Sequence, residues 1–281
     1  MSPIVIKVRK DEIQPLKNLL LSRTDVEQLK TTNPYEVFRL KYYDCLIIGY
    51  STGKIVANKK TAKDLFSELL SQITPRQKET VIGSDEAGKG EWLGPMVVAA
   101  VAVKPEQKTE LKVQGVMDSK ELSLTKIREL ADFIRDNDYL ESHVIIPPEK
   151  FNKLFDEFRD EGRTLNDILA WGHSKAIGNL LHFNSLKNRK VKVIIDEFDR
   201  IKTQQRIQRV LNLDKVQVIQ QPKAEENIAV AAASIIARDL REDYIDFLSK
   251  KLQKDLRKVS PDEAILDDKS VEYAKVSYLK N

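Results

Sequence analysis

The sequence holds one cysteine, Cys45, so no disulfide can close within the chain. That absence excludes a cysteine-built zinc site and fits a reducing cytosol. Histidine is scarce as well: His143, His173 and His182 show no zinc-ligand spacing, and the last two fall on opposite faces of one helix. No segment approaches the roughly 18–20 apolar residues that a membrane span needs. Lys7, Arg9 and Lys10 crowd the first ten residues with no long apolar stretch behind them, so the N-terminus does not read as a signal peptide. There is no repeat and no low-complexity tract. A cytoplasmic protein without membrane contact is expected.

Of the 281 residues, 41% are hydrophobic and 32% charged, enough apolar material for a real core in one large domain, or a large one plus a small one. The net charge of +4 is unevenly placed. Residues 1–79 carry 14 Lys/Arg against 9 Asp/Glu, whereas 80–281 carry 33 against 34. A basic small unit beside a neutral large one suits a polyanion grip attached to a chemistry module. A soluble surface with uneven charge would look the same.

Periodicity predicts a small unit of helix, three strands and helix: 11–22, 35–42, 45–50, 55–57 and 60–73. Residues 74–79 are polar with a proline and read as a linker. The boundary is placed at 76, giving domains 1–76 and 77–281. The second part alternates strands (80–84, 96–103, 139–146, 191–195, 216–219) with helices (123–136, 149–159, 164–183, 200–211, 228–237). This is an α/β pattern with a mixed sheet flanked by helices. After the strand at 96–103 a polar loop leads through Asp118-Ser119-Lys120 into the helix at 123–136, and the last 25 or so residues read as a loosely packed tail.

Chemistry concentrates in acids. Asp85 and Glu86 sit at a strand end before the glycine-rich Ala87-Gly88-Lys89-Gly90. Neighbouring strand side chains point to opposite faces, so both acids converge on one site only if the strand ends there. Gly83 to Lys89 also matches G-x-x-x-x-G-K, but Gly90 stands where Ser or Thr should hold magnesium, and the two acids would repel phosphate. Asp196 closes the apolar run Val193-Ile194-Ile195; alone it reads more readily as a plain surface Asp at a loop start. Glu225 and Glu226 precede a buried alanine-rich helix, where a helix dipole would stabilise either. Together these acids suit Mg2+ or Mn2+, hard ions that prefer oxygen ligands. Two such ions could divide the work of phosphodiester hydrolysis. Asp118-Ser119-Lys120 reads locally as a capped helix start. Tyr35, Phe38, Tyr42 and Tyr43 could stack on bases or fill a core. Trp171 and His173 read as core packing. Lys54, Lys59, Lys60 and Lys63 are candidates for phosphate contact or a solvated face.

Several motifs in order closely resemble the type 2 ribonucleases H. They are Asp85-Glu86-Ala87-Gly88-Lys89-Gly90 with Leu93-Gly94-Pro95, Asp118-Ser119-Lys120-Glu121-Leu122, Asp196 after its strand, and Ala232-Ala233-Ser234-Ile235-Ile236-Ala237. The N-terminal extension, Leu169-Ala170-Trp171-Gly172-His173, and Lys223-Ala224-Glu225 leading into Ala229-Val230-Ala231 resemble the ribonuclease HIII branch. The resemblance covers nearly the whole chain. It implies a ribonuclease H-like fold and an N-terminal domain similar to the repeat of the TATA-binding protein. It also implies endonucleolytic cleavage of RNA in RNA–DNA hybrids, leaving 5′-phosphate and 3′-hydroxyl ends; a monomer is expected. The family's four acids fall on Asp85, Glu86, Asp196 and a glutamate at 225 or 226, with the Lys-Ala-Glu match favouring Glu225. The resemblance makes Gly88-Lys89-Gly90 a backbone reader of ribose 2′-hydroxyls and gives Ser119 and Lys120 a phosphate, although Lys89 replaces the Arg of ribonuclease HII. No tyrosine among Tyr244, Tyr273 and Tyr278 matches the one with which HII enzymes recognise a single embedded ribonucleotide. Incision at such junctions is the alternative activity.

Overall fold

Two five-stranded sheets organise the protein in a computed structural model that describes residues 3–73, 79–186, 190–196, 216–221 and 224–279. The chain divides into two compact units, one of residues 1–78 with 104–117, the other of 79–103 with 118–281. The linker expected at 74–79 falls almost wholly outside the described residues, and the helix expected at 200–211 does so entirely. Among the described residues, no helix is long and apolar enough to cross a membrane.

The first unit is richer in strands than its periodicity suggests. To β3 (Glu36–Tyr42), β4 (Cys45–Tyr50) and β5 (Lys54–Ala57) it adds β1 (Ile4–Lys7) and β2 (Val26–Leu29). The order is β1-β5-β4-β3-β2, antiparallel throughout. Four-residue edge strands are too short to declare themselves by alternation, and pairing with a longer neighbour is what makes them. Phe38, Leu40, Ile47 and Ile55 face α1 (Lys10–Leu21) and α2 (Ala62–Ile73), which supply Leu16, Leu20, Phe66 and Leu70 to one core. Phe38 is thus a core residue: its ring lies against Gly49, where a Cβ would stand 2.3 Å from it. Tyr35 and Tyr43 are exposed, and Tyr42 stacks edge-on against Tyr43.

The expected polar loop holds a helix, α3 (Gln107–Gln114), that returns to the first unit. Val113 enters its core, Lys112 pairs with the buried Glu12 at 3.1 Å, and Lys63 donates to Gln114 at 2.6 Å. Because partners so distant in sequence satisfy its polar residues, α3 carries little amphipathic pattern of its own.

The second sheet runs β10-β9-β6-β7-β8 through β6 (Thr80–Ala87), β7 (Met96–Val103), β8 (Leu140–Ile146), β9 (Val191–Asp196) and β10 (Val216–Gln221). β6 pairs antiparallel with β7 and parallel with β9, the mixed sheet expected. All eight residues of β7 are buried, since both faces are covered. α6 (Leu165–Leu181) lies on one face, and α7 (Ile228–Lys251), backed by α4 (Leu124–Asp136), on the other. Gly83 lets α7 approach β6, for a Cβ there would stand 2.1 Å from the carbonyl carbon of Ala229. Beside these pack α5 (Pro148–Asp160), α8 (Pro261–Leu266) and α9 (Ser270–Tyr273). The C-terminal residues are not a loose tail: Tyr273, Ala274, Lys275 and Leu279 are buried.

Candidate active site

The two acids of β6 do not stand at its end, because the strand continues to Ala87 and pairs with β7 throughout. What ends is the pairing with β9, whose last rung joins Ser84 to Ile195. One step further, Asp85 and Asp196 occupy matching positions on adjacent parallel strands. On the side that β9 has left, the Glu86 N–H finds a local partner and donates to Asp85 Oδ1 at 2.9 Å. The side chain of Asp196 lies outside the described part of the structure.

Strand alternation sends Ser84 and Glu86 toward α6, where His173 is wholly buried. His173 Nδ1 lies 2.7 Å from Ser84 Oγ, and Nε2 lies 3.2 Å from Glu86 Oε2. Lys89 Nζ stands 3.6 Å from Glu86 Oε1. Burial pushes the Glu86 carboxyl up, but the His173 hydrogen bond and charge, with Lys89, outweigh it and hold the group below the usual range. His173 is therefore a polar bridge and not mere core packing. Sequence reasoning missed it because its partners lie 87 and 89 residues away. Trp171, read as core, is exposed, with Lys150 Nζ 5.9 Å from its ring centre.

Gly88 has φ +82, and a Cβ there would stand 2.4 Å from the Pro95 carbonyl oxygen. Gly90 is exposed in open space. A phosphate-cradling reading of Gly83 to Lys89 fails on geometry, because Gly83 to Ala87 is extended strand rather than loop.

Asp118 Oδ1 accepts from the Lys120 N–H at 3.0 Å, the capped start expected on local grounds. Ser119 is buried with its hydroxyl 2.6 Å from that of Ser234, while Lys120 is exposed. Glu225 and Glu226 lie on a single 3-10 turn, Ala224–Glu226, packed against β9. Ala224 is buried, Glu226 is exposed, and the Glu225 side chain lies outside the described part. Among the described residues no three acids or histidines gather as ion ligands. Of the N-terminal lysines, Lys54 and Lys60 are exposed and Lys59 pairs with Asp44.

Comparison with known proteins accords with this layout. Residues 82–262 match the family described as Ribonuclease HII. Ribonuclease HIII of Oceanobacillus iheyensis is 32% identical, over 92% of this chain and 87% of that protein. Ribonuclease HIII of Protochlamydia amoebophila is 40% identical over 64% of this chain, and the alignment spans 56% of that protein. Among solved structures, Bst-RNase HIII in complex with Mn2+ gives a TM-score of 0.63, with 24% identity over 99% of this chain and 97% of that one. Aquifex aeolicus RNase H3 gives 0.56, with 22% identity over 98% and 99%. At those identities the two structures establish the fold. The chain belongs to the ribonuclease HII family, in its ribonuclease HIII branch, and is a ribonuclease H.

Proposed function

We propose that the chain cuts the RNA strand of RNA–DNA hybrids endonucleolytically, leaving 5′-phosphate and 3′-hydroxyl ends. The observation that carries this reading is the match of Asp85 with Asp196 one step past the last β6–β9 rung, beside a loop bent at Gly88. Asp85, Glu86, Asp196 and Glu225 would hold two Mg2+ or Mn2+ ions. All four are hard oxygen donors, as such ions require. When bound, the ions supply activation of the attacking water and charge relief at the leaving oxygen.

The protein's own groups do the rest. His173 and Lys89 keep Glu86 ionised and oriented. The backbone at Gly88, Lys89 and Gly90 tests for the 2′-hydroxyl that separates RNA from DNA. Lys120, with Ser119 beside it, holds a phosphate of the DNA strand. The basic unit of residues 1–76, with Lys54, Lys59 and Lys60, adds affinity through phosphate contacts. Among the described residues, helices cover one face of its sheet, and the other carries Arg39, Lys41, Leu46, Ile48 and Lys54. That arrangement favours a surface for duplex, as in the repeat of the TATA-binding protein.

The test is a cleavage assay on an end-labelled hybrid and on a DNA duplex with one ribonucleotide, with and without metal. Metal-dependent cutting of the hybrid is expected. Asp85→Asn should lower it by at least about 100-fold, the scale of lost transition-state charge stabilisation, while leaving hybrid binding nearly unchanged. Near-normal activity in that variant would sink the mechanism. Preference for the single-ribonucleotide duplex would favour the junction-incising alternative.

A further inference from the structure

Residues 88–94 form neither helix nor regular strand, and they bond little among themselves: Glu91 N–H reaches Gly88 O only at 3.5 Å. Their order comes from the chain's other end. Gly94 N–H donates to Tyr273 O at 2.8 Å, and Lys275 N–H to Trp92 O at 2.7 Å. Lys275 Nζ donates to Gly94 O at 2.7 Å, and Tyr278 Oη to Lys89 O at 2.8 Å. Arg241 adds a bond to Leu93 O at 3.0 Å. Phe151 supports both side chains of the segment, its ring centre 5.7 Å from Lys275 Nζ and 5.8 Å from that of Tyr278.

We propose that residues 273–279 are a strap that sets the shape of loop 88–94, with Lys275 and Tyr278 as positioning residues for telling ribose from deoxyribose. The proposal rests on the reading that this loop tests the 2′-hydroxyl. Its geometry follows from the peptide plane. The Lys89 C=O and the Gly90 N–H share one trans peptide and point opposite ways. Tyr278, by drawing the carbonyl inward, aims the Gly90 N–H outward, where the loop is open. Lys275 anchors the loop's far end by holding the Gly94 carbonyl, whose peptide leads into Pro95 and so has no N–H to aim. It is fully buried, and burial with Arg241 nearby pulls its amine down to about 7, a cost that the Gly94 carbonyl offsets in part.

The experiment puts Tyr278→Phe and Lys275→Met separately into the Asp85→Asn protein. It measures affinity for an RNA–DNA hybrid and for a DNA duplex of the same sequence, with amide exchange across 88–94. Each variant should lower the hybrid-over-DNA ratio about 5–10-fold, the worth of one aligned hydrogen bond. DNA-duplex affinity should hold and loop exchange should quicken. An unchanged ratio in Tyr278→Phe, which keeps its ring and needs no refolding, overturns the strap. If the Asp85→Asn protein itself shows no preference for hybrid over DNA, the loop reading falls and the strap's role with it.

Discussion

His173 Nε2 and Glu86 Oε2 stand 3.2 Å apart, while the same imidazole holds Ser84, one turn of the pleat earlier on that strand. Ser84 Oγ in turn donates to Ala99 O at 2.8 Å, so the chain of bonds runs from β7 through β6 to α6. The Glu86 carboxylate is thereby fixed by elements on both sides of it.

His173→Phe should loosen Glu86 without opening a cavity. Partners that orient a metal ligand are worth roughly 10–100-fold in metal affinity or activity. The metal concentration giving half-maximal cleavage should therefore rise by about that factor, and His173→Gln should recover part of it. A metal titration that matches the unaltered protein would show the bridge to be packing alone.

Asp85, Glu86 and Asp196 stood out in sequence as candidates because each follows an apolar run, although β6 itself continues past the pair to Ala87. Local pattern carries that much. It could not give the company they keep. His173 lies in an apolar helix whose pattern says only that it is buried, and its polar partners appear when α6 meets β6. The C-terminal residues failed for a related reason. Tyr273 and Lys275 are buried because backbone groups of residues 92–94 receive them, and no hydrophobic period marks such a fit. The two edge strands and α3 are short and take their order from neighbours.

Lys54 and Lys60 are exposed in the basic unit, while Lys59 is engaged by Asp44. Each phosphate contact contributes about 0.9 to the slope of log affinity against log salt. Lys54→Ala with Lys60→Ala should flatten that slope by up to about two contacts' worth, and Lys59→Ala should do less. Fluorescence anisotropy with labelled hybrid at several salt concentrations measures it. An unaltered slope in the double variant would remove these lysines from the grip. Substitution is the better test than deleting 1–76, since α3 would lose the core that Val113 enters.

Asp267 supports the strap from below by accepting the Tyr273 hydroxyl at 2.8 Å. The Lys269 N–H, that hydroxyl and Lys254 pull its carboxyl from an ordinary 3.8 down to about 2. A carboxyl depressed on folding stabilises the fold fully above its unfolded value, and that contribution fades as pH falls through the folded one. The stability gap between the unaltered protein and Asp267→Asn should thus be widest above about pH 4 and close toward pH 2. Thermal melting across that range follows it. A gap constant with pH would mean that the aspartate acts as a neutral hydrogen-bond acceptor.

The acid proposed as the fourth ligand lies just ahead of α7. Gly83 admits the helix against β6, and Asn227 caps it by accepting the Ala229 N–H at 3.0 Å. The turn Ala224–Glu226 is thereby held against β9, whose last residue is Asp196. Ala224 is buried and Glu226 is exposed, and Glu225 is the acid proposed for the site. Glu225→Gln should therefore cost at least about 100-fold in cleavage, on the scale of one lost charge-stabilising group, with Glu226→Gln nearly normal. Gly83→Ala should impair cleavage by moving the whole turn, and should destabilise by about 1–3 kcal/mol as overpacking does. If Glu226→Gln proved the inactive variant, Glu226 and not Glu225 would be the fourth acid, and the placement of α7 by Gly83 would not determine the ligand.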